Sequence, residues 1–174
     1  MTMTNKQKII NEANRIEEDS LHSAKGHFCA AQCWVNVNLW LGGISAVLSA
    51  IAGASALSQF DHHNIVAGVL SIIVAGLTGI LTFINPNERA AAHHKAGNKY
   101  NALRNDVRIF YDLEVTEIDD KKATDDLKKL NDRRNKLNID SVQIPKWAFR
   151  KGRKGIEDGE AKYQIDDHFY EQNR

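Results

Sequence analysis

From Gly26 to Phe60 the chain carries no Lys, Arg, Asp or Glu. Within that stretch residues 34–57 are long enough, at ~1.5 Å per residue, to cross a hydrocarbon layer of ~30 Å, which predicts a first transmembrane helix. A short polar turn follows, Ser58-Gln59-Phe60-Asp61-His62-His63, and residues 64–84 are again uncharged and about one bilayer long before Asn85-Pro86-Asn87-Glu88 restores polarity. That predicts a second. The alternative is a pair of core helices in a soluble all-α domain, but such helices usually keep a polar face for water and residues 65–84 offer no charge at all. The expected fold class is an all-α membrane protein, a two-helix transmembrane hairpin with cytoplasmic amphipathic helices N- and C-terminal to it.

The flanks repeat with helical period. Across residues 5–33, Ile9, Ala13, Ile16, Ser20, Ala24 and Phe28 recur every three or four positions with charge on the other face, so this amphipathic helix leads straight into the membrane and needs a partner for its stripe. Asn85-Pro86-Asn87-Glu88 reads as a helix start, with Asn at the N-cap, Pro at the first helical position and Glu three residues after the cap. Tyr100, Leu103, Val107 and Phe110 then alternate gaps of three and four, the seam of a helix pair whose expected partner is the N-terminal helix. Residues 119–137 predict another helix, with Ala123, Leu127, Leu130 and Leu137 on one face. Residues 138–145 break it, and 146–163 resume helix, weakened by Gly152, Gly155 and Gly159. The expected divisions are a cytoplasmic helix at 1–33, the hairpin at 34–84, a cytoplasmic helical region at 85–163 and a polar, frayed tail at 164–174.

Charge sets the expected orientation. Arg15 and Lys25 precede the first membrane helix and Arg89, Lys95, Lys99 and Arg104 follow the second, whereas the connecting turn holds only Asp61. Both termini are then cytoplasmic. Trp34 and Phe83 fall at the inner interface and Phe60 at the outer one. With 23 basic and 22 acidic residues in 174 there is no global field to attract nucleic acid. Cys29 and Cys33 lie on the reducing side of this topology, so no disulfide is expected. The apolar run begins too late and is too long for a signal peptide.

Candidate chemistry is sparse. Gly42, Ala46, Ser49, Gly53 and Ala56 fall on one stripe of the first membrane helix, and Gly68, Ser71, Ala75, Gly79 and Thr82 on one stripe of the second. Small residues let helix backbones approach closely where lipid supplies no hydrophobic drive. Such stripes either close the hairpin on itself or, with the hydroxyls of Ser45, Ser49, Ser71, Thr78 and Thr82, pack against neighbouring subunits and line a narrow pore, which one hairpin cannot enclose alone. Neither span holds a charge, against proton coupling or voltage sensing. Asn36 and Asn38 face headgroups or bond across an oligomer. His62-His63 and His93-His94 are adjacent pairs whose rings point to different faces, so with Cys29 and Cys33 they do not make a metal site. The segment containing Lys146, Trp147, Phe149, Arg150, Lys151, Arg153 and Lys154 is the densest basic-aromatic stretch, suited to a membrane-surface anchor or a partner contact. No P-loop, dinucleotide turn or oxyanion feature is found, and neither enzyme activity nor a cofactor is expected.

The layout of a cytoplasmic helix, two membrane helices with a short outer turn, and a long returning helix closes on Ile144-Pro145 and Gly155-Ile156-Glu157-Asp158-Gly159-Glu160-Ala161-Lys162-Tyr163. Over roughly residues 5–163 it resembles the SLATT family of bacterial two-membrane-helix effectors. The resemblance implies an oligomeric pore-forming or membrane-perturbing effector of bacterial conflict systems, of the kind that depolarises an infected cell in abortive anti-phage defence. It implies as partners the lipid bilayer, further copies of the chain, and nucleotide-signal synthetases, SLOG-type sensors or reverse transcriptases. A membrane scaffold that only tethers a cytoplasmic partner is the competing class.

Overall fold

The computed structural model describes residues 3–163, so the expected polar tail lies outside the described residues. Five α-helices run in order: α1 Asn5–Ala56, α2 His63–Ile84, α3 Pro86–Ile109, α4 Asp120–Asp140 and α5 Lys146–Glu157. A π-helical turn, Phe110–Glu114, ends α3, and no strand occurs among the described residues. The chain divides into a charged unit, Met1–Ala30 with Ala92–Arg174, and a hairpin unit, Ala31–Ala91.

In the charged unit the stripe foreseen on α1 meets the seam foreseen on α3. Ile9, Ala13, Ile16 and Ala24 cluster with Tyr100, Leu103, Val107 and Phe110, all buried, because matching gaps of three and four bring apolar positions to one face of each helix. α4 adds Ala123 and Leu137, with Leu127 and Leu130 packed against the cluster. Its N-terminus is capped by Asp119, whose carboxylate accepts the Lys122 backbone N–H at 2.8 Å. Ion pairs tie the same helices from outside, Glu17 with Arg104, Asp19 with Arg134 and Asp106 with Arg133. The first is well sheltered, its side chains 12% and 18% exposed, so salt screens it less than a pair in open water.

α5 docks through its smallest residues. Ala148, Gly152 and Gly155 are buried on one face of the helix. A Cβ at Gly152 would sit 2.8 Å from the backbone nitrogen of Gly26 and 2.9 Å from the carbonyl carbon of Lys25. Only glycine permits that approach of two helix backbones, and the sequence reading, which saw these glycines as weakening the helix, missed their packing role. Nearby, Lys25 Nζ binds Glu160 at 3.1 Å.

In the hairpin unit burial is nearly absent. The most apolar window of α2 has 0% of its residues buried within the protein at a mean hydropathy of 2.3. Phe83 and Leu57 are each 90% exposed, and Trp40 and Ile72 more than 70%. A core helix of a soluble domain buries such side chains, so this surface belongs to a helix pair whose solvent is lipid.

Asn85 separates α2 from α3 in a left-handed conformation, φ 47°, that asparagine tolerates better than most residues. Its role differs from the plain N-cap expected. Its backbone N–H caps α2 at Leu81 O, and its side-chain amide donates to Glu88 at 2.6 Å.

The Gly152 contact yields a test. Gly152→Ala forces its new methyl into immobile backbone, and such overpacking costs about 1–3 kcal/mol. Thermal unfolding of the detergent-solubilised protein should show the loss, and trypsin should cut the Arg150–Lys154 region sooner than in wild type.

Candidate functional site

The two membrane helices meet along faces that the small stripes do not occupy. On α1 the buried positions are Ser45, Ala52 and Ser55, with Leu48 half-buried between them. On α2 the half-buried positions are Ala67, Leu70, Val74, Leu77 and Leu81. Gly53 on α1 and Gly68, Ser71, Ala75, Gly79 and Thr82 on α2 are exposed, as are Ala46 and Ser49, while Gly42 is half-buried. At 100° per residue, a stripe one position out of step lies roughly a quarter-turn or more round the helix. A Cβ built on Gly42, Gly43, Gly53, Gly68, Gly76 or Gly79 meets nothing within 4 Å. The hairpin therefore closes through Ser45, Ala52 and Ser55 of α1 and mostly larger residues of α2, and its glycines stand on open faces.

Three hydroxyls on these helices are satisfied locally. Ser45 donates to Leu41 O at 2.8 Å, Ser71 to Ala67 O at 2.8 Å and Thr82 to Thr78 O at 2.9 Å. Such bonds to the carbonyl four residues back let a hydroxyl sit at an apolar surface and leave its lone pairs available. At the far end of α2, Arg89 donates to Ile84 O at 2.8 Å and lies over the Trp34 ring, 5.1 Å from its centroid.

In the charged unit the basic helix is arranged differently from the sequence reading. Trp147 and Phe149, two residues apart, point to opposite flanks of α5, so both cannot dip into one flat interface. Phe149 turns to His22, ring centroids 6.2 Å apart, and with Glu18, Ile156 and Glu157 lines a cavity of about 690 Å³. Lys146, Arg150, Lys151, Arg153 and Lys154 remain exposed around Trp147 and the outer face. Arg153 bonds Glu157 at 2.9 Å, and no ion pair holds the other four among the described residues.

A buried polar cluster escaped the sequence reading. His27 and His93 are 1% and 6% exposed, and their Nδ1 atoms lie 3.0 Å apart. Tyr100 stacks on His27 at 5.5 Å and donates its hydroxyl to Asn138 at 2.7 Å. Burial, with the neighbouring His93, pushes His27 down from the ordinary 6.5 to about 4, and burial pushes the Tyr100 phenol up. The signal was present: His93 lies seven residues before Tyr100 and His27 seven after Ser20, so each prolongs a stripe already identified. Among the described residues no group of three or more His, Cys, Asp or Glu could hold a metal ion.

An all-helical protein with a two-helix membrane hairpin and no strand among its described residues is the class these features define. The chain belongs to the SMODS and SLOG-associating 2TM effector domain family 4, whose model matches residues 14–168, within the SLATT group that the closing motif resembles. No curated protein and no solved structure matches the chain.

The faces of the hairpin separate by mutation. Ala52→Leu overfills the buried face and should destabilise the hairpin by about 1–3 kcal/mol. Gly53→Leu, one residue on, meets open space and should leave the solubilised monomer's unfolding within about 0.5 kcal/mol of wild type. Unfolding in micelles dilute enough to hold one chain each measures both.

Proposed function

We propose that the chain is an oligomeric effector of the bacterial inner membrane, with both termini cytoplasmic, that opens a water path or otherwise breaches the bilayer in anti-phage or related conflict defence. The observation that carries this reading is the set of open glycines. A glycine in a helix interior is less favourable than alanine by roughly 1 kcal/mol, and these positions return nothing to the hairpin's own packing. In lipid, association comes from close contact and hydrogen bonds, and glycine faces on both helices suit the seating of neighbouring copies. A ring of such hairpins places Ser49, Ser71 and Thr82 where they border a shared interior, and their remaining lone pairs suit a narrow wet path.

The charged unit then acts as the control element. Its packed helices hold the membrane helices in one arrangement, and a signal from a defence partner shifts the population to another. The exposed cations Lys146, Arg150, Lys151 and Lys154 on α5 meet anionic headgroups of the inner leaflet, each adding up to ~1 kcal/mol near the surface, with Trp147 as the aromatic contact. A scaffold that only tethers a partner has the same hairpin but no use for open glycines on both helices.

Expression in bacteria with a membrane-potential dye tests the reading. Wild type should depolarise the cell, with its neighbouring genes where these supply the trigger, and Gly53→Leu and Gly79→Leu should weaken depolarisation at least tenfold with insertion unchanged. Equal depolarisation by wild type and both variants removes the glycine faces from the mechanism. No depolarisation under any condition favours the scaffold. Replacing Lys146, Arg150, Lys151 and Lys154 with Gln should weaken binding of the solubilised protein to vesicles containing phosphatidylglycerol, and added salt should weaken wild-type binding in the same direction.

A further inference from the structure

The two membrane helices turn their small residues to one side of the hairpin. Viewed from the N-terminus of α1, Gly42, Ser49 and Gly53 lie clockwise of the seam through Ser45, Ala52 and Ser55 by about a quarter-turn or more. The exposed Trp40, Ile44 and Ile51 lie anticlockwise of it. Viewed likewise from its own N-terminus, α2 has Ser71, Ala75 and Thr82 clockwise of Leu70, Val74 and Leu77, and the exposed Val69, Ile73 and Ile80 anticlockwise. The helices run antiparallel, so two clockwise flanks beside a shared seam fall on the same face. That face is small and hydroxyl-bearing, and the opposite one is bulky and apolar, as contact with lipid requires.

The hairpin carries one unbalanced charge, and it is at the turn. Asp61 is the one formal charge between Lys25 and Glu88, histidines counted as neutral. It is exposed, and no ion pair compensates its carboxylate among the described residues. At the other end of α2, Glu88 and Arg89 are adjacent and of opposite sign, Glu88 accepting the Asn85 amide and Arg89 lying over the Trp34 ring. The next cation on α3, Lys95, is nine residues past Pro86, about 14 Å along the helix and beyond the Debye length of about 8 Å. On α1 the last cation, Lys25, is paired with Glu160.

We propose that the path through an assembly of these hairpins passes small cations in preference to anions, and that Asp61 is the residue that selects them. The inference rests on the pore reading above, with both termini cytoplasmic. Copies that turn their small faces to a shared interior bring their turns to its outer rim, one carboxylate from each. Packed helices lie about 8–10 Å apart, so whichever helix stands nearer the axis, Asp61 stays within about one Debye length of the mouth. A ring of carboxylates draws cations in and holds anions out. Beyond it, the neutral hydroxyls of Ser49, Ser71 and Thr82 add no charge of either sign. The inner mouth, where Glu88 and Arg89 cancel, exerts no comparable preference.

Patch recordings test this on giant spheroplasts of bacteria expressing the full chain, with its neighbouring genes where these supply the trigger. Under a KCl gradient the wild-type current should reverse toward the K+ equilibrium potential, with K+ favoured over Cl− by on the order of tenfold. Asp61→Asn should bring that ratio close to one, and Asp61→Lys should invert it. An exposed turn side chain without a partner lets both variants keep the hairpin. In Asp61→Cys, an impermeant cationic thiol reagent added outside should move the reversal potential toward that of Cl−, while Cys29 and Cys33 lie at the inner end beyond its reach. A wild-type current that favours Cl− or neither ion, an Asp61→Asn current as selective as wild type, or no response to the external reagent each overturns the inference and leaves the pore standing. Absence of any current removes the pore reading and this one with it.

Discussion

The charged unit depends on one side-by-side contact, the stripe of α1 against the seam of α3. Ile9, Ala13, Ile16 and Ala24 cannot be buried by α1 alone, and Tyr100, Leu103, Val107 and Phe110 cannot be buried by α3 alone. Each helix removes the other's apolar face from water, and α4 covers what remains with Ala123 and Leu137. The sheltered Glu17–Arg104 pair links the same two helices at the edge. α1 belongs to both units, so the helix that anchors this core in water is also the first to enter lipid. Two solvents act on one continuous helix, and its sequence changes from stripe to uniform apolarity as the solvent changes.

Much of this was legible because the signals were periodic. The seam positions on α1 and α3 stood out by spacing, and the hairpin stood out by an absence of charge that water does not tolerate. Asp119 marked the start of α4 for the ordinary reason that its carboxylate can accept an orphan backbone N–H. Less legible were the features that depend on which of two neighbouring faces is used. In a helix apolar all round, hydropathy has no phase, so Gly53 and Ala52 look equivalent although one is open and the other buried. Composition alone assigned Trp147 and Phe149 a common task, yet their separation of two residues turns them apart. His93 was weighed only by metal chemistry, beside His94, when its place on the stripe marked it as core.

Glycine serves opposite purposes in the two units. At Gly152 the missing Cβ is used, and two backbones occupy the space it leaves. At Gly42, Gly53, Gly68 and Gly79 the space is unfilled within the single chain. The first kind is a requirement of the fold, and the second is a property of the surface. Where lipid replaces water, that surface decides what the hairpin sits beside, because apolar side chains there gain little by leaving hydrocarbon for one another.

The open faces also bear on how related proteins coexist. Positions that meet nothing within their own chain can change size without disturbing the hairpin. A face free of folding constraints can diverge until it accepts its own copies and rejects those of a cousin, by a bulky side chain that fits one groove and clashes in another. Two such effectors sharing a membrane would then be insulated from each other, and neither could be set off by mixed assembly with the other.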